Sequence, residues 1–165
     1  EDNNTSLLAT IGNALAWIFY PLGWMGDMAW KATIATFTGL IAKENVVATF
    51  GILYGFAEVA EDGAEIWAAL QADLSALAGY CFLVFNLLCA PCFAAMGAIK
   101  REMNSAKWTA FAIGYQCALA YAVSLMIYQF GRWFIGGGSI VGTVIAAALL
   151  LGMLYMLVRR PRKDG

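Results

Sequence analysis

Apolar residues run through this chain in long blocks parted by short polar stretches, and the lengths of those blocks predict its elements. Leu7 to Phe19 is an apolar run of thirteen, interrupted by Gly12 and Asn13. It falls short of the roughly 20 residues that cross a bilayer, and the aromatics Trp17, Tyr20 and Trp24 suit the headgroup level. The pattern predicts an interfacial or re-entrant helix. Ala29 to Gly55 is long enough for a first membrane span and holds Lys43 and Glu44 in its interior. The next stretch, Phe56 to Ala76, carries Glu58, Glu61, Asp62, Glu65 and Asp73 and no base. Because Ile66, Ala69, Leu70, Leu74 and Leu77 recur there at helical spacing, an acidic, amphipathic surface helix is expected.

A second span is predicted over Leu77 to Ile99, uncharged but broken at Pro91, since proline lacks the N–H and crowds the preceding turn. A third runs from Trp108 to Phe130 and a fourth from Ser139 to Val158, joined by a tight turn over Gly131 to Gly138. The expected fold is an all-α integral membrane protein with about four transmembrane helices. To these it adds the N-terminal interfacial or re-entrant helix and an acidic extracytoplasmic helix. Its expected organisation is an N-terminal helix over residues 1–28, a gate-type transmembrane region over 29–130, and a last span with a basic tail over 131–165.

Composition agrees with a membrane setting: 62% of residues are hydrophobic, 13% are charged and the mean hydropathy is +0.70. Soluble domains carry about 25% charged residues. Net charge is −1, but the placement of the bases says more. Lys100, Arg101 and Lys107 form one basic cluster, and Arg159, Arg160, Arg162 and Lys163 another. The positive-inside rule puts both in the cytoplasm, which two intervening spans allow, and turns the acidic 56–76 stretch outward. The tail reads as a topological anchor touching anionic lipid, not as a nucleic-acid patch. No basic stretch precedes an apolar core at the start, so no signal peptide is expected.

Histidine is absent, which removes imidazole catalysis and every His-containing metal site. No Gly-x-x-x-x-Gly-Lys-[Ser/Thr] occurs, so the chain does not cradle a nucleotide phosphate by that device. An enzyme is not expected. A charge at the bilayer centre costs about 2.5–3.5 kcal/mol on insertion scales, so Lys43 and Glu44 read either as lining a pathway or as an internal structural ion pair.

Cys81, Cys89, Cys92 and Cys117 lie in apolar runs and are expected to be thiols. If the helix stays regular through Pro91, Cys81, Cys89, Cys92 and Met96 share an arc of about 80°. Sulfur ligands suit soft ions, while Glu44, Asn45 and Asn86 suit borderline ones such as Fe(II) or Mn(II). Against this, cysteine and methionine are common core fillers, the expected role of Cys81 and Cys117. Cys89-Ala90-Pro91-Cys92 is also a Cys-x-x-Cys, but the βαβ context of a redox motif is missing. Gly39, Gly51 and Gly55 are either packing positions or points of unwinding.

Several segments resemble the C-terminal membrane region of the ferrous iron transport protein B family. They are Pro21-Leu22-Gly23, Thr38-Gly39-Leu40-Ile41-Ala42-Lys43-Glu44-Asn45-Val46-Val47, Leu53-Tyr54-Gly55 and Leu88-Cys89-Ala90-Pro91-Cys92-Phe93-Ala94-Ala95. The resemblance covers about residues 5 to 130, and its specific parts are the Gly-x-x-Ala-Lys-Glu and Pro-Cys elements. It implies a bacterial or archaeal cytoplasmic-membrane permease segment whose GTPase and first gate lie outside this chain, in cis or as a separate subunit. Fe(II) is then the transported ion and not a resident cofactor. The family's gate cysteine matches Cys92 and its motif carboxylate Glu44, with Cys89 and, more weakly, Asn45, Asn86 and Met96 beside the pathway. Gly39 and Pro91 are the expected helix breaks. Membrane lipid and further copies of the chain are expected partners. The competing reading is a gate-domain membrane protein for nucleosides, or an assembly partner without iron transport; the Pro-Cys element favours iron.

Overall fold

The computed structural model describes residues 7–42, 45–56 and 66–159, and within them every regular element is helical. The helices are α1 (Leu7–Ala16), α2 (Asp27–Gly39), α3 (Asn45–Leu53), α4 (Trp67–Asp73), α5 (Ala76–Leu88), α6 (Phe93–Met103), α7 (Ala106–Phe134) and α8 (Ile140–Val158), with a 3-10 turn at Tyr20–Leu22. Among the described residues, three segments are long and apolar enough to cross a membrane: Ala76–Met103, Ala106–Phe134 and Ile140–Val158. The chain is a multi-pass membrane protein. The third and fourth expected spans match α7 and α8, although α7 continues through Gly131 to Phe134, leaving only 135–139 for the turn.

The expected first span is different. Ala29 to Gly55 is divided between α2, of 13 residues, and α3, of 9 residues. At 1.5 Å per residue these are roughly 20 and 14 Å long, well short of a bilayer core of about 30 Å. They run antiparallel. Near their joined ends the Thr38 and Thr49 hydroxyls lie 2.8 Å apart, and at their open ends Tyr54 Oη donates to Met28 Sδ over 3.5 Å. The turn begins where Leu40 and Ile41 switch to short-range bonds with Phe37 and Thr38, at 3.1 and 3.0 Å. A run of apolar residues does not reveal this reversal, because both legs of the hairpin are as apolar as one span.

The open end is tied down by α4. Asp73 accepts from Tyr54 Oη at 2.9 Å and pairs with Lys31 Nζ at 3.4 Å, and that ammonium sits 4.2 Å from the centre of the Tyr54 ring. The expected acidic helix is described only over Trp67–Asp73; Glu58, Glu61, Asp62 and Glu65 lie outside the described residues. Ile66, Leu70 and Leu74 face the core as their spacing implied, whereas Leu77 belongs to α5.

The core is aromatic. Trp24, expected at the headgroup level, is fully buried, stacked 4.5 Å from Phe19 and edge-on to Phe85 at 5.7 Å; Trp17 and Tyr20 are the exposed members of that trio. The 3-10 turn closes on Gly23 at φ +89, where a side chain would run into the Tyr128 ring, so this turn needs glycine both for its backbone and for its close approach to α7. α5 and α7 pack antiparallel, with Ser124 Oγ donating to the Cys81 carbonyl at 3.3 Å.

Candidate ion site at the hairpin tip

α5 ends at Leu88 and α6 begins at Phe93, so Cys89, Ala90, Pro91 and Cys92 form an extended break in the middle of the Ala76–Met103 segment. The cause is local. Pro91 supplies no N–H and its ring crowds the carbonyl four residues back, which pushes the preceding residues out of the helical region. Cys89 is at φ −62, ψ 172 and Cys92 at φ −58, ψ 160.

The hairpin tip reaches this break. The first N–H of α6, on Phe93, donates to the Leu40 carbonyl at 2.9 Å, joining two interrupted elements 53 residues apart. Between tip and break lies a cavity of about 220 Å³, lined on one side by Thr36, Gly39 and Leu40 and on the other by Asn86, Cys89 and Ala90. Both groups are the C-terminal ends of helices, α2 and α5, where the macrodipole is negative. The positive end of α6 is turned to Leu40, and the α3 wall is apolar, made of Val46 and Val47. Among the described lining residues, Thr36, Asn86 and Cys89 carry the polar side chains, an oxygen and sulfur set suited to a borderline divalent cation. Asn86 is held by donating to the Phe82 carbonyl at 2.9 Å and, more weakly, to Thr36 Oγ1 at 3.5 Å.

Of the residues singled out from sequence, Gly39, Asn86 and Cys89 line the cavity. Pro91 and Cys92 follow in the break, half-buried, and Asn45 opens α3 beside the turn. Met96 is half-buried one turn into α6, its N–H bonded to the Cys92 carbonyl at 3.0 Å. Glu44 and Lys43 lie outside the described residues. The single sulfur face is not formed, because its condition, a regular helix through Pro91, is not met. Cys81 is fully buried against Ala78 and Tyr128 instead. Among the described residues no three His, Cys, Asp or Glu side chains gather as a metal cluster.

Two features in and beside this region were not anticipated. Thr36 faces the cavity from one turn before Gly39, a spacing visible in sequence only once α2 is known to end there. Cys117, expected as filler, places its Sγ 3.7 Å from that of Cys89, a tertiary contact across 28 residues that no local pattern announces.

Residues 3–106 match the family model described as Gate, nucleoside recognition. The chain is similar to the Fe(2+) transporter FeoB of Methanocaldococcus jannaschii, 37% identical over 127 residues, which are 77% of this chain and 18% of that protein. It is similar to the Fe(2+) transporter FeoB of Staphylococcus aureus strain COL, 32% identical over 132 residues, 80% of this chain and 19% of the relative. A Porphyromonas gingivalis Fe(2+) transport protein A/Fe(2+) transporter FeoB fusion protein is 32% identical over 144 residues, 81% of this chain and 17% of the relative. The chain thus spans less than a fifth of the length of these curated relatives. No solved structure matches it.

Proposed function

The chain belongs to the Gate (nucleoside recognition) family, as the gate region of the ferrous iron transport protein B kind, and on that premise we propose that it forms half of an Fe(II) permeation gate. The observation that carries the proposal is the bond between the Phe93 N–H and the Leu40 carbonyl, which sets the hairpin tip against the helix break around a cavity fed by two helix C-termini. Interrupted helices near mid-membrane offer free carbonyls and half-helix ends to a cation that has shed part of its water. In this reading Glu44 supplies the negative charge, Cys92 and Cys89 supply sulfur, and Asn45, Asn86 and Met96 complete the path.

Parting Leu40 from Phe93 opens the gate. The GTPase and first gate that license opening lie outside this chain. The setting is a prokaryotic cytoplasmic membrane, with the acidic 56–76 stretch outside and the basic Arg159–Lys163 tail in the cytoplasm, following the distribution of bases.

The test is Fe(II) uptake by the whole transporter. Cys92→Ser and Glu44→Gln should each lower uptake with membrane abundance near normal, while Cys81→Ser, whose side chain packs against Tyr128 and does not line the cavity, should not. Equal losses for Cys92→Ser and Cys81→Ser, or normal uptake by Glu44→Gln, would refute the assignment.

A further inference from the structure

We propose that Cys89 and Cys117 are an oxidisable dithiol, and that their disulfide pins the α5–α6 break to α7 and closes the gate. Three observations carry this. First, the two Sγ atoms are 3.7 Å apart, in contact, on elements far apart in sequence. A disulfide is about 2.05 Å long, so the sulfurs must close by less than about 2 Å.

Second, the two thiols differ in local structure. Cys89 is the first residue past the end of α5, followed by the extended Ala90-Pro91-Cys92, and it lines the cavity. Cys117 sits near the middle of the unbroken 29-residue α7. Cys89 thus lies outside regular helix, whereas Cys117 is held inside one. Third, the other thiols are placed differently: Cys81 is fully buried against Tyr128 and Ala78, and Cys92 is half-buried at the start of α6.

The oxidant is a membrane-permeant hydroperoxide, which reaches Cys89 through the cavity. The Cys89 sulfur attacks the terminal peroxide oxygen, the O–O bond breaks, and the alkoxide leaves with the thiol proton as an alcohol. The Cys117 sulfur then attacks the resulting sulfenic sulfur, the S–S bond forms, and hydroxide leaves with the Cys117 proton as water. Two thiols give up two electrons and the peroxide becomes alcohol and water. The disulfide stands on this geometry alone; its effect on transport rests on the Fe(II) reading above. Fe(II) and peroxides react with each other, so a gate that shuts under peroxide keeps the two apart.

The experiment treats the intact protein in its own membrane with tert-butyl hydroperoxide. Mass spectrometry of unreduced peptides reads the link, and Fe(II) uptake is measured on the same samples. We expect a Cys89–Cys117 peptide pair that dithiothreitol dissolves, together with loss of uptake that dithiothreitol restores. Cys117 lies outside the cavity lining, so Cys117→Ser should keep untreated uptake and become insensitive to the hydroperoxide. Oxidation of Cys92 with no Cys89–Cys117 link in the wild type overturns the proposal, as does a link that leaves uptake unchanged. A link in a protein that takes up no Fe(II) before treatment overturns the iron reading and upholds the dithiol.

Discussion

Gly39 is the last residue of α2, is buried, and faces Val46 of α3 across the hairpin. A Cβ added there would stand 2.6 Å from Val46 Cγ2. Carbon atoms prefer about 3.5–4.0 Å, so Gly39→Ala is short by about 1 Å. Val46 cannot swing away freely, because a β-branched side chain in a helix has one strongly preferred rotamer. Overpacking of this kind costs roughly 1–3 kcal/mol. Alanine recovers at most about 1 kcal/mol over glycine inside a helix, and less at its last position.

The net expectation for Gly39→Ala is a loss of roughly 1–2 kcal/mol. Val46→Ala removes the obstructing methyl at a cost of about 1 kcal/mol for a half-buried side chain. The double variant should therefore be more stable than the sum of the single losses by roughly 1–2 kcal/mol, the signature of two residues in contact. Thermal unfolding midpoints of the reconstituted protein measure all four corners of the cycle. Strictly additive losses would mean that Gly39 and Val46 do not touch, and the hairpin would fall with them.

Gly23→Ala meets two obstacles, a φ of +89 and the buried Tyr128 ring. Together they amount to roughly 2–5 kcal/mol, so little folded protein should accumulate in the membrane; normal abundance and unfolding midpoint would refute the turn geometry. Asp73→Asn keeps an acceptor for Tyr54 but loses the ion pair with Lys31. With Asp73 partly exposed, the expected loss is under about 1 kcal/mol and shrinks in high salt, so a large, salt-independent loss would show that the pair is more deeply enclosed than described.

The parts of the fold written in local pattern were legible in sequence. α7 and α8 announce themselves by length and hydropathy, and the helix break at Cys89–Cys92 by Pro91. What local pattern could not show was direction. Thr38 and Thr49 are eleven residues apart and would lie on a continuous helix as readily as face each other across a hairpin; only the tertiary contact decides. Trp24 has the composition of an interfacial anchor and the position of a core residue, because Phe19, Phe82 and Phe85 close around it.

The candidate site divides in the same way. Cys89, Asn86 and Gly39 stand out as polar or breaking residues inside apolar runs. Thr36 acquires meaning only from the elements folded against it, as does Cys117 beyond the cavity lining.

The hairpin of α2 and α3, whose tip meets the α5–α6 break, is tested most directly by the sidedness of its two open ends. Single cysteines replace Met25 and Phe56 in turn, in a protein whose own four cysteines have been substituted, and each is challenged with a membrane-impermeant maleimide from one face at a time. A hairpin brings both positions to the same face, so both should be labelled from one side and protected from the other. Labelling of position 25 from one face and position 56 from the opposite face would restore a continuous span over 29–55 and contradict the account.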